Sequence, residues 1–260
     1  MTMKQPSNVV SLSGGKDSTA MLLMLLERGE PVEDIVFFDT GWEHPEMYEH
    51  LNQLEQFAGR KITRLHPRLP VGVETEKSPF DWMFSEMPVV KRGSREIHKT
   101  GYWWPNVRLR WCTGRKRDAL NAHHLALTHR QNVTSPLRQC IGFAADEWHR
   151  LDGSAKRNSA YCIQRYPLME WGVTEKDALA YCYKRGFNWG GLYRFFSRVS
   201  CFCCPLKPLG DFRTLRRHFP DLWQRMLVME SWLPENTRRF KDSSVSALDA
   251  RFAAEEAVNG

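Results

Sequence analysis

The chain has 260 residues, 42% of them hydrophobic, a formal net charge of +7 and a pI near 9.1. That length holds one large domain, or one with a small appendage, around a sizeable core. No apolar run approaches the roughly 20 residues of a membrane span, and Lys4, Pro6 and Ser7 open the chain without a signal-peptide pattern, so a cytoplasmic protein with no membrane contact is expected.

Val9, Val10 and Leu12 predict a buried strand, and Thr19 to Glu27 predict a buried helix. Between them runs Ser13-Gly14-Gly15-Lys16-Asp17-Ser18. The glycines let a ligand approach the backbone. The N–H groups at a helix start attract an anion. Ser13 and Ser18 offer hydroxyls and Lys16 a full charge, so the stretch reads as a phosphate cradle. It is not the Walker pattern, which needs four residues between its glycines and a Lys-Ser/Thr pair.

Asp34 to Asp39 predict a second buried strand, followed by Asp39-Thr40-Gly41 and a helix from Pro45 to Phe57 with proline in its first turn. Lys61 to His66 form a third strand candidate. This β-α alternation predicts an α/β fold, a doubly wound, mainly parallel sheet with ligands at the carboxyl ends of its strands. Pro79 to Met87 predict a short helix and Arg92 to Pro105 an exposed loop. Nine Lys or Arg and one Glu fall between Lys91 and Arg117, interleaved with Tyr102, Trp103, Trp104 and Trp111. That mixture suits nucleic acid, by phosphate neutralisation and base stacking. A basic rim on a nucleotide pocket, or a solvated loop, has the same composition.

Cys112 stands at the start of a basic helix with Arg115, Lys116 and Arg117. His123 and His124 have no ligand-like spacing and read as ordinary residues. Arg138 to Glu147 predict a strand and an acidic turn, with Cys140 a buried thiol. Ala160 to Tyr166 predict a further strand, and Thr174 with Asp177 a helix capping box. Cys201 and Cys204 have Cys-x-x-Cys spacing, with Cys203 between them, which lets two thiolates reach one metal. Arg194, Arg198, Lys207 and Arg213 are expected to lower their pKa values. Helices follow at 209–219, 221–232 and 246–258, the last with a Ser246/Asp249 capping signal. Seven cysteines in a cytosolic chain argue for metal or redox chemistry.

Five separated segments, in order, resemble the phosphoadenosine-phosphosulfate (PAPS) reductase-like family of the PP-loop, or adenine-nucleotide alpha-hydrolase, superfamily. They are the Ser13–Ser18 loop, Asp39-Thr40-Gly41 with Pro45, the Cys112 helix, Gly142 to Arg150, and Pro167 to Tyr181. The resemblance implies a HUP-like nucleotide-binding domain over 1–207 and a helical cap over 208–260. It gives the nucleotide to Ser11, Ser13, Gly14, Gly15, Lys16, Asp17, Ser18, Asp39, Thr40 and Gly142, with Arg115 and Lys116 facing phosphates or a cluster. It makes Lys16, Asp17 and Cys203 catalytic. It implies a 4Fe-4S cluster on Cys112, Cys201 and Cys204, with Cys203 the fourth ligand or a free thiol. Zinc on the four cysteines is the alternative. The family's Cys-Cys pair is reduced here to Trp111-Cys112.

Two activities follow from the resemblance. One cleaves ATP to AMP and pyrophosphate, with Mg²⁺ near Asp17, and passes sulfur to a nucleic-acid or small-molecule acceptor. The other reduces PAPS or its unphosphorylated relative APS to sulfite. Those reductases use a cysteine in a C-terminal tail, whereas this sequence has none after Cys204, and its Gly-Gly-Lys-Asp loop has the form of ATP users. A non-catalytic nucleotide- or nucleic-acid-binding regulator is the third reading. A sulfur donor or redox protein is an expected partner.

Overall fold

The computed structural model describes residues 8–91, 93, 95–130, 137–151 and 162–259. The chain divides into two compact units. The first takes the residues up to Asp39, Pro45–His66 and Lys116–Val199, and the second Thr40–His44, Pro67–Arg115 and Ser200 onward.

The first unit is built on five parallel strands, β1 (Asn8–Leu12), β2 (Val32–Phe38), β3 (Thr63–Leu65), β6 (Leu137–Ile141) and β7 (Cys162–Arg165), in the order β3-β2-β1-β6-β7. The continuous apolar runs of β1 and β2 are buried, as a sheet covered on both faces requires. Helices α1 (Lys16–Glu27), α2 (Pro45–Ala58), α5 (Pro167–Glu170) and α6 (Glu175–Lys184) flank the sheet. Thr174 and Asp177 make the expected capping box at the start of α6. The chain runs from β1 outward to β3 and then resumes on the other side of β1 with β6. The order in which strands are added reverses between β1 and β6, and the crevice outside their carboxyl ends is where such sheets bind ligands. The expected strand at 160–166 is present as β7, and residues 160 and 161 lie outside the described part.

The second unit has an aromatic core that includes Trp42, Phe80, Phe84, Trp104, Trp111, Phe202, Phe212 and Phe240. Helix α3 (Pro79–Ser85) starts with Ser78, whose hydroxyl accepts from the Asp81 N–H at 3.2 Å. The loop expected after it is instead an antiparallel ribbon, β4 (Pro88–Val90) with β5 (Ile97–Thr100). Its strands are short and its turn charged, so periodicity does not announce it. Helices α7 (Leu209–His218), α8 (Pro220–Ser231) and α9 (Val245–Asn259) follow. The capping signal read at Ser246 and Asp249 is corrected. Ser244 caps α9 through the Ala247 N–H, and Glu230 accepts from the Val245 and Ser246 N–H groups. Asp249 instead accepts from Trp223 Nε1 at 2.7 Å and Arg216 Nε at 2.8 Å. Helix α4 (Trp111–Arg130) begins with second-unit residues, and the division falls at Arg115/Lys116.

Candidate functional site

The loop after β1 is folded on itself. The Ser13 N–H donates to Ser18 Oγ at 3.1 Å, the two hydroxyls lie 3.0 Å apart, and Ser18 Oγ donates to the Gly15 carbonyl at 3.1 Å. Gly14 has φ +80°, and a Cβ there would stand 2.3 Å from Met47 Sδ, so only glycine fits. No side chain of α1's own cap residue closes the helix start. The Lys16 N–H donates instead to Tyr193 Oη at 2.7 Å, and Trp189 Nε1 donates to the Gly14 carbonyl at 2.7 Å. The cradle is thus braced from the 3-10 stretch Trp189–Arg194.

Lys16 is buried, and its ammonium pairs with Glu175 at the first turn of α6 and with Asp17 Oδ2 at 3.3 Å. Glu175 is held in turn by its backbone N–H, which donates to Asp146 Oδ1 at 3.1 Å. Burial pushes the Asp17 carboxyl up to about 6. Lys16 pulls it down, and Glu175 and Glu147 push it further up. Asp17 Oδ1 is buried with no hydrogen-bond partner among the described residues. A carboxylate short of positive charge, with an unmade acceptor bond, fits a divalent cation in kind.

The remaining residues assigned to the nucleotide divide between the units. Ser11 lies within β1, and its hydroxyl accepts from Gln139 Nε2 of β6 at 2.8 Å. Gly142 follows β6. A Cβ there would stand 2.8 Å from Ser18 N and Cα, so the space it leaves is filled by the cradle's own backbone. Asp39 follows β2 and accepts from Tyr48 Oη at 2.8 Å. Lys116 is half-buried in the second turn of α4. Thr40 and Arg115 belong to the second unit. Arg115 donates to Tyr102 Oη at 2.6 Å.

All four candidate ligand cysteines lie in the second unit. Cys112 stands in the first turn of α4, and Cys201, Cys203 and Cys204 lie on the loop before α7. That loop is fastened at both ends. The Phe202 N–H donates to the Trp42 carbonyl at 2.9 Å, and Lys241 Nζ donates to the Pro205 and Lys207 carbonyls at 2.8 Å. Arg225 donates to the Gly41 carbonyl at 3.0 Å, and Trp42 Nε1 to Asp81 Oδ1 at 2.6 Å. The Cys201 thiol donates to Glu43 Oε1 at 3.4 Å and lies 3.8 Å from Thr40 Oγ1.

The expected lowering of thiol pKa values is corrected. Burial pushes Cys112 up and pushes Cys201 and Cys203 far up, and Glu43 adds to the rise at Cys201. Lys207 and Arg225 lower Cys203, but desolvation outweighs them. Arg213 is engaged by Glu255 at 2.7 Å, and Arg194 and Arg198 belong to the first unit. Neighbouring thiols add to the rise: Cys204 raises Cys112, Cys201 and Cys203, and Cys203 raises Cys201. Among the described residues no three His, Cys, Asp or Glu side chains are arranged to hold a metal ion. In kind, thiols are the soft donors that zinc or an iron–sulfur group takes, and such a group would supply the positive charge that buried thiolates need. Cys140 is buried in β6, and its thiol is pushed up to about 12, as its apolar setting suggested.

Sequence reasoning missed Met47, Glu175, Trp189 and Tyr193, which shape the cradle. Its one usable signal was Gly190-Gly191, both at positive φ, between Trp189 and Tyr193. Among the described residues no helix is long and apolar enough to cross a membrane.

An uncharacterized protein of Methanocaldococcus jannaschii, MJ0066, is 25% identical over 230 residues, covering 84% of this chain and 40% of its own length. A protein of the nin region of Escherichia phage lambda, ORF290, is 34% identical over 116 residues, 42% of this chain and 39% of its own. A 37.8 kDa protein of Escherichia phage 186 is 46% identical over 55 residues, 21% of this chain and 16% of its own. The chain therefore spans less than half the length of each of these relatives. The model of the phosphoadenosine phosphosulfate reductase domain matches residues 7–207, from β1 through the cysteine loop, and the chain belongs to that family within the PP-loop superfamily.

Proposed function

We propose that the chain is a PP-loop enzyme that cleaves ATP to AMP and pyrophosphate and couples the cleavage to sulfur transfer onto an acceptor. The observation that carries this reading is Lys16, a buried ammonium at the mouth of a serine-lined cradle, beside the point where the strand order reverses. Charge develops on the leaving pyrophosphate as the α-phosphate is attacked. Lys16 Nζ, the Ser13 and Ser18 hydroxyls and the start of α1 are the groups that would stabilise it. Asp17 would hold Mg²⁺, which neutralises phosphate charge when bound. The Gly14-Gly15-Lys16-Asp17 form supports ATP over PAPS or APS.

In this reading Cys112, Cys201 and Cys204 hold a 4Fe-4S cluster, with Cys203 the fourth ligand or a free thiol. A cluster so held supplies an iron site for sulfur and an electron reservoir. The chain's own contribution is the fastened loop, which buries Cys203 and holds Cys201 where Cys203 and Cys204 oppose its ionisation. The test is incubation with ATP and Mg²⁺, with and without acceptors, followed by assay of AMP, pyrophosphate and, from PAPS or APS, sulfite. AMP and pyrophosphate in equal amounts support the proposal. Sulfite from PAPS or APS establishes the reductase instead. Nucleotide binding without product leaves a regulator.

A further inference from the structure

The basic segment from Lys91 to Arg117 reads in sequence as a place where cations and aromatic rings alternate. Folded, the two sort apart. Trp104 and Trp111 are buried, with Trp104 edge-on to Phe84 at 4.7 Å and Trp111 stacked on Tyr102 at 5.1 Å. Trp103 lies under the Lys99 ammonium, 3.8 Å from its ring centre, and its Nε1 donates to the Thr100 carbonyl. None of these rings is free to stack on an unpaired base, which is how single strands are held.

What remains outside is different. On the ribbon, Val89 pairs with Lys99 on the half-buried side, and Val90 pairs with Ile97 on the exposed side. Val90 is 48% and Ile97 59% exposed. Lys91 and Arg95 are exposed beside this aliphatic pair. Further along, Val107 and Leu109 are exposed and alternate with exposed Arg108 and Arg110. The ribbon's root is rigid. The Gly101 N–H donates to the Met87 carbonyl at 2.8 Å, and a Cβ on Gly101 would stand 2.5 Å from the Phe84 carbonyl oxygen. A bulge between Val89 and Val90 adds local twist.

We propose that the β4–β5 ribbon is a docking arm for double-stranded nucleic acid, with Lys91, Arg95, Arg108 and Arg110 on phosphates and the Val90/Ile97 pair against the groove. A two-stranded ribbon is of the width that the major groove of a duplex admits, and apolar side chains there meet thymine methyl groups. Charge selects the partner: in this stretch the exposed ionised side chains are cations, with Glu96 the one acid. The inference deepens the proposed function by naming the acceptor's class. It does not depend on nucleotide turnover.

The test uses the full chain and a labelled duplex DNA of about 20 base pairs, read by fluorescence anisotropy across a salt series. The matching single strand and vesicles of phosphatidylserine and phosphatidylcholine are the other probes. The duplex should bind at least about tenfold more tightly than the single strand, with a log-affinity against log-salt slope of about −3 to −4 for four phosphate contacts. Lys91→Gln with Arg95→Gln should flatten that slope by about 2. Val90→Ser with Ile97→Ser should weaken duplex binding roughly fivefold with the slope unchanged. These side chains are exposed, so thermal unfolding should not move. Absent duplex binding at low salt, equal affinity for the single strand, capture by vesicles in preference to duplex, or an unaltered affinity in the serine variant overturns the proposal. ATP cleavage without duplex binding would sink the arm and leave the proposed function standing.

Discussion

The cradle and the cysteine loop solve opposite electrostatic problems. Around Lys16 the chain gathers full charges, Asp17, Glu175 and Glu147, and lets burial and pairing settle them. Around Cys203 burial wins instead, and desolvation keeps its thiol protonated despite Lys207 and Arg225. Under the proposed function the first arrangement would exchange a carboxylate for an anion, and the second would exchange protons for a cationic group. Hydrogen bonding differs too: serine hydroxyls fold the cradle on itself, whereas the cysteine loop is held by backbone bonds such as Cys204 N–H to the Cys201 carbonyl and by Lys241 on the Pro205 and Lys207 carbonyls.

The sharpest way to break this contrast is at the cysteines. Serine at Cys112, Cys201 or Cys204 should abolish the brown colour and the bound iron and sulfide of anaerobically purified protein, whereas Cys140→Ser should leave both in place. Cys203→Ser discriminates: lost iron makes it the fourth ligand, and retained iron with lost sulfur transfer makes it the catalytic thiol. Zinc in stoichiometric amount without sulfide would show that the donor set holds a structural ion.

Next in size is the cradle's charge. Lys16→Ala should lower AMP formation by about 10²-fold or more, with circular dichroism unchanged. Equal rates in variant and parent would remove Lys16 from the chemistry.

A smaller effect separates charge from fold. A carboxyl whose pKa is higher in the folded chain binds its proton more tightly there. Asp17 therefore costs stability as pH rises from 3.8 to about 6. Asp17→Asn should be more stable than the parent at neutral pH by about 2–3 kcal/mol, and the gain should vanish at acid pH. Urea titrations at several pH values measure it, and a pH-independent difference would show that Asp17 is not strained by burial.

The smallest expected change is at the brace. Tyr193→Phe removes the acceptor of the Lys16 N–H and should cost about 1 kcal/mol, measured as a shift in the urea midpoint. If nucleotide affinity falls while stability holds, Tyr193 contacts the ligand rather than the loop.

These two regions also differ in how far they can be read from sequence. The hydroxyl contacts that fold Ser13 to Ser18 on itself are local, all lying within five residues. The strand, loop and helix around it are therefore legible. Glu175 and Tyr193 reach the same lysine from 159 and 177 residues away, and nothing local marks them. The cysteines are visible as a cluster, but the sign of their pKa shift is not. Flanking cations are plain in the sequence, while burial is a property of the folded loop. Likewise, Trp104 and Trp111 look like surface aromatics among arginines until Phe84, Phe80 and Trp42 close around them.

The pairing of Lys16 with Glu175 has a consequence for selectivity. A tethered carboxylate competes with any incoming anion at an effective concentration that a flexible tether alone sets in the millimolar range or above. Chloride or a lone phosphate must win that exchange on a single contact. A polyphosphate brings several, to Lys16, the serine hydroxyls and the α1 amides together. Under the proposed function the cradle would act as a threshold, set by the carboxylate of α6, that admits multivalent anions and turns away the simple ones.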